Sequence, residues 1–255
     1  MRALVVGLGR MGKFHRRVLR DNGFDVTAVD PDPSTGAQFR TIADASWRRP
    51  VRYDVAAIAC PTEHLVRSAV QLAGTPMLVE KPCATNEYEA ALLGAYLRAQ
   101  ATPVCVGFVE RFNPRVRELR DRVATGAHLV HSARFVRYSD RSCDDLALDL
   151  LTHDVDLARH LGFELSPLCG DVEFDVRADE PHKVRRIQLE VSGPSETRTP
   201  ERRTVHADLM DHKESPLHAL WHAFLSGRAV PTPADAAVAI HEAFKRLPQT
   251  HAAPS

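Results

Sequence analysis

Near its start the chain reads Ala3-Leu4-Val5-Val6-Gly7-Leu8-Gly9-Arg10-Met11-Gly12, a short apolar run followed directly by three glycines spaced GxGxxG. This spacing carries meaning when it follows a strand and opens a helix. The first glycine permits a tight turn, the second lets a pyrophosphate approach the backbone, and the third lets helix and strand pack closely. Unpaired N–H groups at the helix start then attract the phosphates. The stretch predicts a dinucleotide-binding loop at Gly7, Gly9, Arg10, Met11 and Gly12.

An acidic residue lies where the second apolar run ends. Asp30 follows the run Asp25–Val29, at the interval past Gly12 that is typical of the residue binding the adenosine ribose. Its carboxylate can accept hydrogen bonds from the ribose hydroxyls and would repel the 2′-phosphate of NADP. The sequence therefore favours NAD over NADP, since Arg40 and Arg48 do not directly follow Asp30.

Short apolar runs alternate with segments of helical spacing through the first hundred or so residues. The predicted strands are Ala3–Val6, Asp25–Val29, Val55–Ala59, Met77–Val79 and Val104–Val106, and the predicted helices are Gly12–Asn22, Thr62–Ala73 and Glu87–Gln100. Such alternation predicts a parallel sheet with right-handed crossovers. The fold class is α/β, with an N-terminal doubly wound Rossmann domain over residues 1–110.

The pattern changes after Arg111. Strands are predicted at Leu129–Tyr138, Val172–Arg177, Val184–Val191 and Arg203–Leu209, with helices at Asp144–Leu161, Leu217–Leu225 and Ala234–Leu247. Several strands with one helix among them indicate a mostly antiparallel sheet layered on helices. Residues 111–255 are therefore expected to form a shortened α+β substrate-binding domain, with residues 193–203 as a loop and the tail 248–255 disordered.

Charge balance and cysteine spacing bear on partners and compartment. Lys plus Arg and Asp plus Glu both number 33, so no net field draws the chain to nucleic acid or to an anionic membrane. No apolar run approaches the roughly 20 residues of a membrane span. A small-molecule partner is expected. The cysteines lack paired spacing, which favours free thiols in a reducing cytoplasm; they are Cys60, Cys83, Cys105, Cys143 and Cys169.

Several segments resemble, in their order, the Gfo/Idh/MocA oxidoreductases. They are GLGRMGKFH at 7–15, CPTEHL at 60–65, VEKP at 79–82, GFVERFNP at 107–114 and DLLTHDVDLARHL at 149–161. The family pairs a Rossmann domain with an α+β substrate domain, and its members oxidise or reduce a carbon of a sugar, cyclitol or nucleotide sugar. The last two segments are most similar to enzymes that oxidise the 3-hydroxyl of UDP-N-acetylglucosamine.

The resemblance implies a catalytic set of Lys81, Asp149 and His153. Lys81 follows a strand end, and Pro82 favours an extended backbone there. Asp149 and His153 stand four residues apart on a predicted helix and so share a face. Histidine exchanges a proton near neutral pH, which makes His153 the expected general acid/base. Asp149 would orient it or balance its charge, and Lys81 would polarise the substrate oxygen.

These residues also have plainer interpretations. Lys81 is alternatively a surface lysine in a turn, and Asp149 and His153 are alternatively a helix carboxylate and a solvated histidine. A metal site is a further alternative, because His153, Asp156 and His160 approach one helix face. Spacing alone is weak support, so no metal is expected.

Further contacts are implied on both sides of the site. For the cofactor they are Pro61, Thr62 and His64, after the third strand, and Glu80, although Thr62 also suits a helix N-cap. For the substrate they are Arg111, Asn113, Arg134 and Tyr138, beside Arg137 and Arg141. Arginine forks suit phosphate groups, which favours a phosphorylated or nucleotide-linked sugar. Cys83 has no evident base partner and is interpreted as a packing residue.

The leading hypothesis is an NAD-dependent sugar or nucleotide-sugar dehydrogenase. A cyclitol or free-aldose dehydrogenase is the second hypothesis. A non-catalytic dinucleotide-binding regulator is the third, disfavoured because the complete Lys, Asp and His set is present. The second domain is shorter than is usual in the family, whose sheet there often forms the oligomer interface. A homo-oligomer therefore remains an open alternative.

Overall fold

The computed structural model describes residues 1–48, 52–124, 129–140, 145–163, 165, 172–192, 202–211 and 215–246. Predictions for Arg141, Cys143, Cys169, residues 193–201 and the tail 248–255 lie outside these ranges. The chain divides into two compact units. One contains Met1–Phe108 with Leu220–Val238, and the other contains Val109–Ala219 with the chain from Ala239 onward.

The first unit is built on a five-stranded parallel sheet with the order β2-β1-β3-β4-β5. Its strands are β1 (Arg2–Val6), β2 (Asp25–Val29), β3 (Val55–Ile58), β4 (Met77–Val79) and β5 (Val104–Val106), and its helices are α1 (Arg10–Asp21), α2 (Ile42–Arg48), α3 (Thr62–Gln71) and α4 (Glu87–Ala99). These strands are buried on both faces, which explains their continuous apolar runs. The strand order reverses between β1 and β3, and ligands bind at such a switch point. The predicted Rossmann sheet is confirmed.

The second unit is built on a four-stranded sheet with the order β7-β6-β8-β9. Its elements are α5 (Pro114–Ala124), β6 (Leu129–Tyr138), α6 (Thr152–His160), β7 (Val172–Arg177), β8 (Val184–Ser192) and β9 (Arg202–Asp208). The pairs β6–β8 and β8–β9 are antiparallel, whereas β6–β7 is parallel. The predicted mostly antiparallel sheet is confirmed. Phe135, Ile187 and Leu189 lie in its core, and on β8 the last two alternate with polar neighbours.

The helix predicted at Asp144–Leu161 differs in its first part. Residues Ala147–Leu151 form a π-helical turn, and α6 begins only at Thr152. The hydroxyl of Thr152 donates a hydrogen bond to the carbonyl of Leu148 at 2.7 Å, inside this widened turn. Such turns are rare and occur often at functional sites.

The segment Leu220–Val238 groups with the first unit, whereas the predicted division assigned all of residues 111–255 to the second domain. It contains the end of α7 (Pro216–Leu225) and the start of α8 (Pro233–Arg246). β5 is an edge strand, so one side of its backbone does not pair with another strand. On that strand the N–H of Val106 donates a hydrogen bond to the carbonyl of Pro231 at 2.8 Å. Within the described ranges, no helix combines the length and apolarity needed to cross a membrane.

Candidate active site

The three loop glycines meet different surroundings. Gly7 has a φ of +88°, and a Cβ on it would lie 2.6 Å from the carbonyl oxygen of Ala59. A Cβ on Gly12 would lie 1.8 Å from the carbonyl oxygen of Gly7. A Cβ on Gly9 would meet no atom within 4 Å. Gly7 and Gly12 are therefore required by packing, while Gly9 keeps an open approach to the backbone, as a pyrophosphate needs.

The start of α1 suits an anion. Gly9 is its cap residue and has no side chain to bind the first N–H groups, and its first turn contains no acidic residue. Arg10 is exposed and Met11 half-buried at this end of the helix. Backbone N–H groups and the helix dipole both favour negative charge here. These residues fit a dinucleotide.

The carboxylate of Asp30 faces the glycine loop. It accepts hydrogen bonds from the backbone N–H groups of Leu8 at 2.6 Å and of Asp32 at 2.9 Å. A carboxylate has about four acceptor positions, so Asp30 keeps capacity for ribose hydroxyls. Phe39 forms a parallel bridge with Val29 and accepts the Asp30 N–H at 3.0 Å. Arg40 follows Phe39, so its backbone lies beside that of Asp30. Distance along the sequence did not indicate this proximity.

The loop after β3 lies beside the glycine loop because β3 pairs with β1. Pro61 is the cap residue of α3 and Thr62 is its first helical residue, with no side-chain cap. The alternative of Thr62 as an N-cap is therefore wrong. Pro61 and His64 are exposed and Thr62 is half-buried.

Glu80 lies directly before the half-buried Lys81, and the Lys81–Pro82 peptide is cis. Its carboxylate is buried and contacts Nε2 of His15 at 2.7 Å, and it accepts the backbone N–H of Lys81 at 3.2 Å. The indole N–H of Trp221 donates to Nδ1 of His15 at 2.9 Å. Sequence reasoning did not assign His15 or Trp221. His15 could have been found because it belongs to the segment GLGRMGKFH, whereas the sequence around Trp221 contains no motif that points to the site.

Asp149 lies on the π-helical turn and His153 on α6, and both side chains are half-buried. The next acidic residue, Asp154, is buried and accepts two hydrogen bonds from Arg137 on β6, at 2.9 and 2.8 Å. Burial raises the pKa of Asp154, and the adjacent Arg137 guanidinium opposes that shift. This ion pair ties the helix that carries His153 to the sheet.

Asp156, one of three residues in the metal alternative, is engaged elsewhere. Two guanidinium nitrogens of Arg111, Nε and Nη2, donate hydrogen bonds to its carboxylate, Nε at 2.9 Å. Across the described part of the chain, no group of three or more His, Cys, Asp or Glu side chains could hold a metal ion.

Asn113, predicted to contact substrate, is fully buried and caps α5. Its Oδ1 accepts the backbone N–H of Arg115 at 3.0 Å, and its Nδ2 donates to the carbonyl of Leu209 at 2.9 Å and to Glu110 at 3.1 Å. Asn at the cap with Pro114 after it is a strong helix-start signal, although helix α5 was not among the predicted elements. Its described contacts are structural.

Arg134 and Tyr138, the other predicted substrate residues, meet on Asp175 of β7. Arg134 Nη2 and the Tyr138 hydroxyl each donate to its Oδ2 at 2.8 Å. The Arg177 guanidinium lies 4.8 Å from the centre of the Tyr138 ring. The hydrogen bond to Asp175 raises the pKa of Tyr138. The sequence did not point to Asp175 or Arg177 as partners.

The described cysteines Cys60, Cys83 and Cys105 are free thiols. Cys83 is fully buried, and burial raises the pKa of its thiol to about 12. A thiol of this kind is a poor nucleophile. The structure thus agrees with the packing role expected for Cys83.

No protein-family model matches the chain. The chain is 30% identical over 192 residues to a myo-inositol dehydrogenase of Streptomyces leeuwenhoekii, a match covering 67% of this chain and 59% of that protein. It is 28% identical over 134 residues to the rhizopine catabolism protein MocA of Rhizobium meliloti, covering 48% of this chain and 42% of that protein. Each match spans less than two thirds of the relative's length.

Solved structures with a similar fold match nearly the whole chain. The WlbA dehydrogenase of Thermus thermophilus, solved in complex with NAD and UDP-GlcNAcA, has a TM-score of 0.74 and 21% identity, covering 97% of this chain and 95% of that one. This likeness concerns the fold. Taken with the sequence relatives, it supports the resemblance to the Gfo/Idh/MocA family that the motifs carry.

Proposed function

We propose that this chain is an NAD-dependent oxidoreductase that transfers hydride between a secondary alcohol of a sugar, cyclitol or nucleotide sugar and the nicotinamide. The observation that carries the proposal is the glycine loop, in which Gly7 and Gly12 are fixed by packing while Gly9 leaves the backbone open. The names of the sequence relatives and the NAD complex of WlbA support the same cofactor and substrate class.

The first unit would hold the cofactor. Backbone N–H groups at the start of α1 bind the pyrophosphate, and the free acceptor positions of Asp30 take the ribose hydroxyls. Pro61, Thr62 and His64 line the nicotinamide ribose. When bound, NAD supplies the hydride acceptor.

The chemistry at the substrate needs a base and a group that stabilises charge on oxygen. His153 accepts the hydroxyl proton, Asp149 orients or charge-balances His153, and Lys81 polarises the oxygen. Chemistry and the family resemblance are the grounds for assigning these three roles.

Two substrate classes are candidates, and the rates of turnover of their members distinguish them. A nucleotide sugar oxidised at its 3-hydroxyl is favoured by the segments at 107–114 and 149–161 and by the UDP-GlcNAcA complex of WlbA. A cyclitol is favoured by the inositol dehydrogenase relative. The first is our primary proposal, because the segment at 149–161 contributes Asp149 and His153 to the proposed substrate side.

The test is to incubate the purified protein with NAD and, separately, UDP-N-acetylglucosamine, its uronic acid, myo-inositol and glucose, and to follow the absorbance of reduced nicotinamide. Lys81→Ala and His153→Ala should each lower turnover by about a hundredfold or more, with NADH binding retained. Lys245→Ala, at an exposed lysine paired with Glu242, is the matched control.

Each outcome has a distinct meaning. Faster turnover of myo-inositol or glucose than of either nucleotide sugar moves the assignment to the second substrate class. NADH binding with no turnover of any of the four substrates favours a regulator. Normal turnover by both Lys81→Ala and His153→Ala would overturn the mechanism, and full activity after exhaustive chelation would exclude a catalytic metal.

A further inference from the structure

A buried hydrogen-bond chain runs through the first unit and ends at the backbone of Lys81. Trp221 Nε1 donates to His15 Nδ1 at 2.9 Å, His15 Nε2 lies 2.7 Å from Glu80 Oε1, and Glu80 Oε2 accepts the Lys81 N–H at 3.2 Å. Trp221 and His15 are fully buried, and Glu80 is 7% exposed.

The partners of His15 define where its proton resides. An indole N–H can only donate, so Nδ1 of His15 must accept. The proton of a neutral imidazole then sits on Nε2, where it donates to the Glu80 carboxylate. A proton on Nδ1 would face the Trp221 N–H. The two rings also pack edge to face, with centroids 5.8 Å apart and an interplanar angle of 82°.

The Glu80 carboxylate has little room to move. A Cβ on Gly107 would lie 3.0 Å from Oε2, so this side of the carboxylate is packed against the chain after β5. Burying a carboxylate is costly unless hydrogen bonds compensate. Here His15 holds one oxygen and the Lys81 backbone meets the other. The turn that carries Lys81 is thereby fixed by a charged group.

The placement of His15 gives this contact its significance. His15 lies on the buried face of α1, the helix that begins at the glycine loop. A single hydrogen bond, from His15 to Glu80, therefore connects the proposed pyrophosphate-binding helix with the proposed catalytic lysine. Trp221, from α7, fixes the donor and acceptor ends of His15.

We infer that Trp221, His15 and Glu80 are positioning residues that hold the Lys81 turn in register with α1. The catalytic consequence rests on the proposed function. Misplacing a reacting group by about 1 Å can cost about a hundredfold in rate, so losing this register affects hydride transfer as well as stability.

Three substitutions separate positioning from packing. His15→Leu removes both hydrogen bonds and places an apolar side chain in the buried site. His15→Gln supplies an acceptor and a donor on one amide, so it can reproduce the neutral imidazole. Trp221→Phe removes the indole N–H and keeps an aromatic ring, and it serves as the second test if His15→Leu does not fold.

The main readout needs no substrate. Competitive acylation across a pH series, followed by peptide mass mapping, gives the reactivity of the Lys81 amine relative to the exposed Lys245. We expect His15→Leu and Trp221→Phe to change this ratio by at least about threefold, and His15→Leu to lower turnover by about tenfold or more. His15→Gln should stay within about twofold of the parent in both measurements.

A lowered melting temperature with an unchanged Lys81 ratio in His15→Leu and Trp221→Phe would overturn the inference, because it indicates packing alone. Failure of His15→Gln to restore the ratio would also overturn it. If no sugar or cyclitol is oxidised but the Lys81 ratio responds as expected, the positioning role stands and the proposed function fails.

Discussion

Asp30, at the end of β2, accepts the backbone N–H of Leu8 in the glycine loop at 2.6 Å. One carboxylate therefore shapes the loop and faces the proposed ribose site. We expect Asp30→Asn to weaken NADH binding by about tenfold or more, because a hydrogen bond to a charged group contributes about 1.5–3 kcal/mol. NADPH binding should fall less, since the repulsion of its phosphate is removed and Arg40 lies nearby. Fluorescence titration with both nucleotides measures the ratio.

The matched control for this substitution is Asp54→Asn. Asp54 also accepts a backbone N–H, from Arg2 at 2.6 Å, but at the opposite end of the strands. It should leave both affinities unchanged. An unaltered NADH to NADPH ratio in Asp30→Asn would contradict the assignment of Asp30 to the ribose.

The glycine loop predicts opposite phenotypes for two alanine substitutions. Gly9→Ala meets open space, so the melting temperature should be retained while NADH binding weakens by about tenfold, equivalent to about 1.4 kcal/mol. Gly12→Ala places a Cβ against the Gly7 carbonyl and should cost about 2 kcal/mol or more of folding free energy. Thermal unfolding and NADH titration on both variants provide the comparison. Equal stability losses would disprove the distinction.

Breaking the buried pair of Arg137 and Asp154 should be costly. Arg137→Met leaves an unpaired buried carboxylate, and we expect a loss of about 3–5 kcal/mol in the free energy of unfolding. The double variant Arg137→Met with Asp154→Leu should lose less, because neither charge remains. Urea unfolding of the parent, both single variants and the double variant closes a double-mutant cycle. Additive losses would show that the two residues are not coupled.

The same carboxyl predicts a pH dependence. Because burial raises the pKa of Asp154 in the folded state, its proton is bound more tightly there than in the unfolded chain. The stability from this proton is fully present below the ordinary Asp pKa and is lost as pH rises through the raised pKa. Urea unfolding over a pH series should show this loss in the parent but not in Asp154→Asn. Parallel pH curves would count against the raised pKa.

Cys83 should be inert in the native protein. Its burial raises the thiol pKa to about 12, whereas Cys60 is half-buried, with its pKa raised by burial. Alkylation with iodoacetamide at mildly alkaline pH, followed by peptide mapping, should modify Cys60 faster than Cys83. Unfolding in urea should bring both thiols to similar rates. Equal rates in the native protein would be inconsistent with the buried position of Cys83.

The sequence specified elements whose pattern is local. β2, β4 and β5 begin and end where predicted, because a buried parallel strand consists mostly of apolar residues. α5 was missed, since only Val116 and Leu119 are buried among its many charged residues and its apolar period is weak. The π-helical turn was missed because its side-chain pattern also fits an α-helix.

The residues of the candidate site also differ in whether a local sequence pattern reveals them. Glycine spacing, Asp30 and Lys81 are local signals next to strand ends. Other contacts of the candidate site join residues that are distant in sequence: Trp221 donates to His15, and Arg111 donates to Asp156. Such pairings depend on tertiary packing, and a single sequence contains no period or spacing that reveals them.

The return of Leu220–Val238 to the first unit constrains the order of events during synthesis. Domains generally fold from the N-terminus as they leave the ribosome. A nascent chain that ends at Phe108 lacks the Pro231 carbonyl that pairs with edge strand β5 and the Trp221 indole that pairs with His15. The first unit therefore completes its hydrogen bonds only after the second unit's strands and the segment through Pro231 have been synthesised.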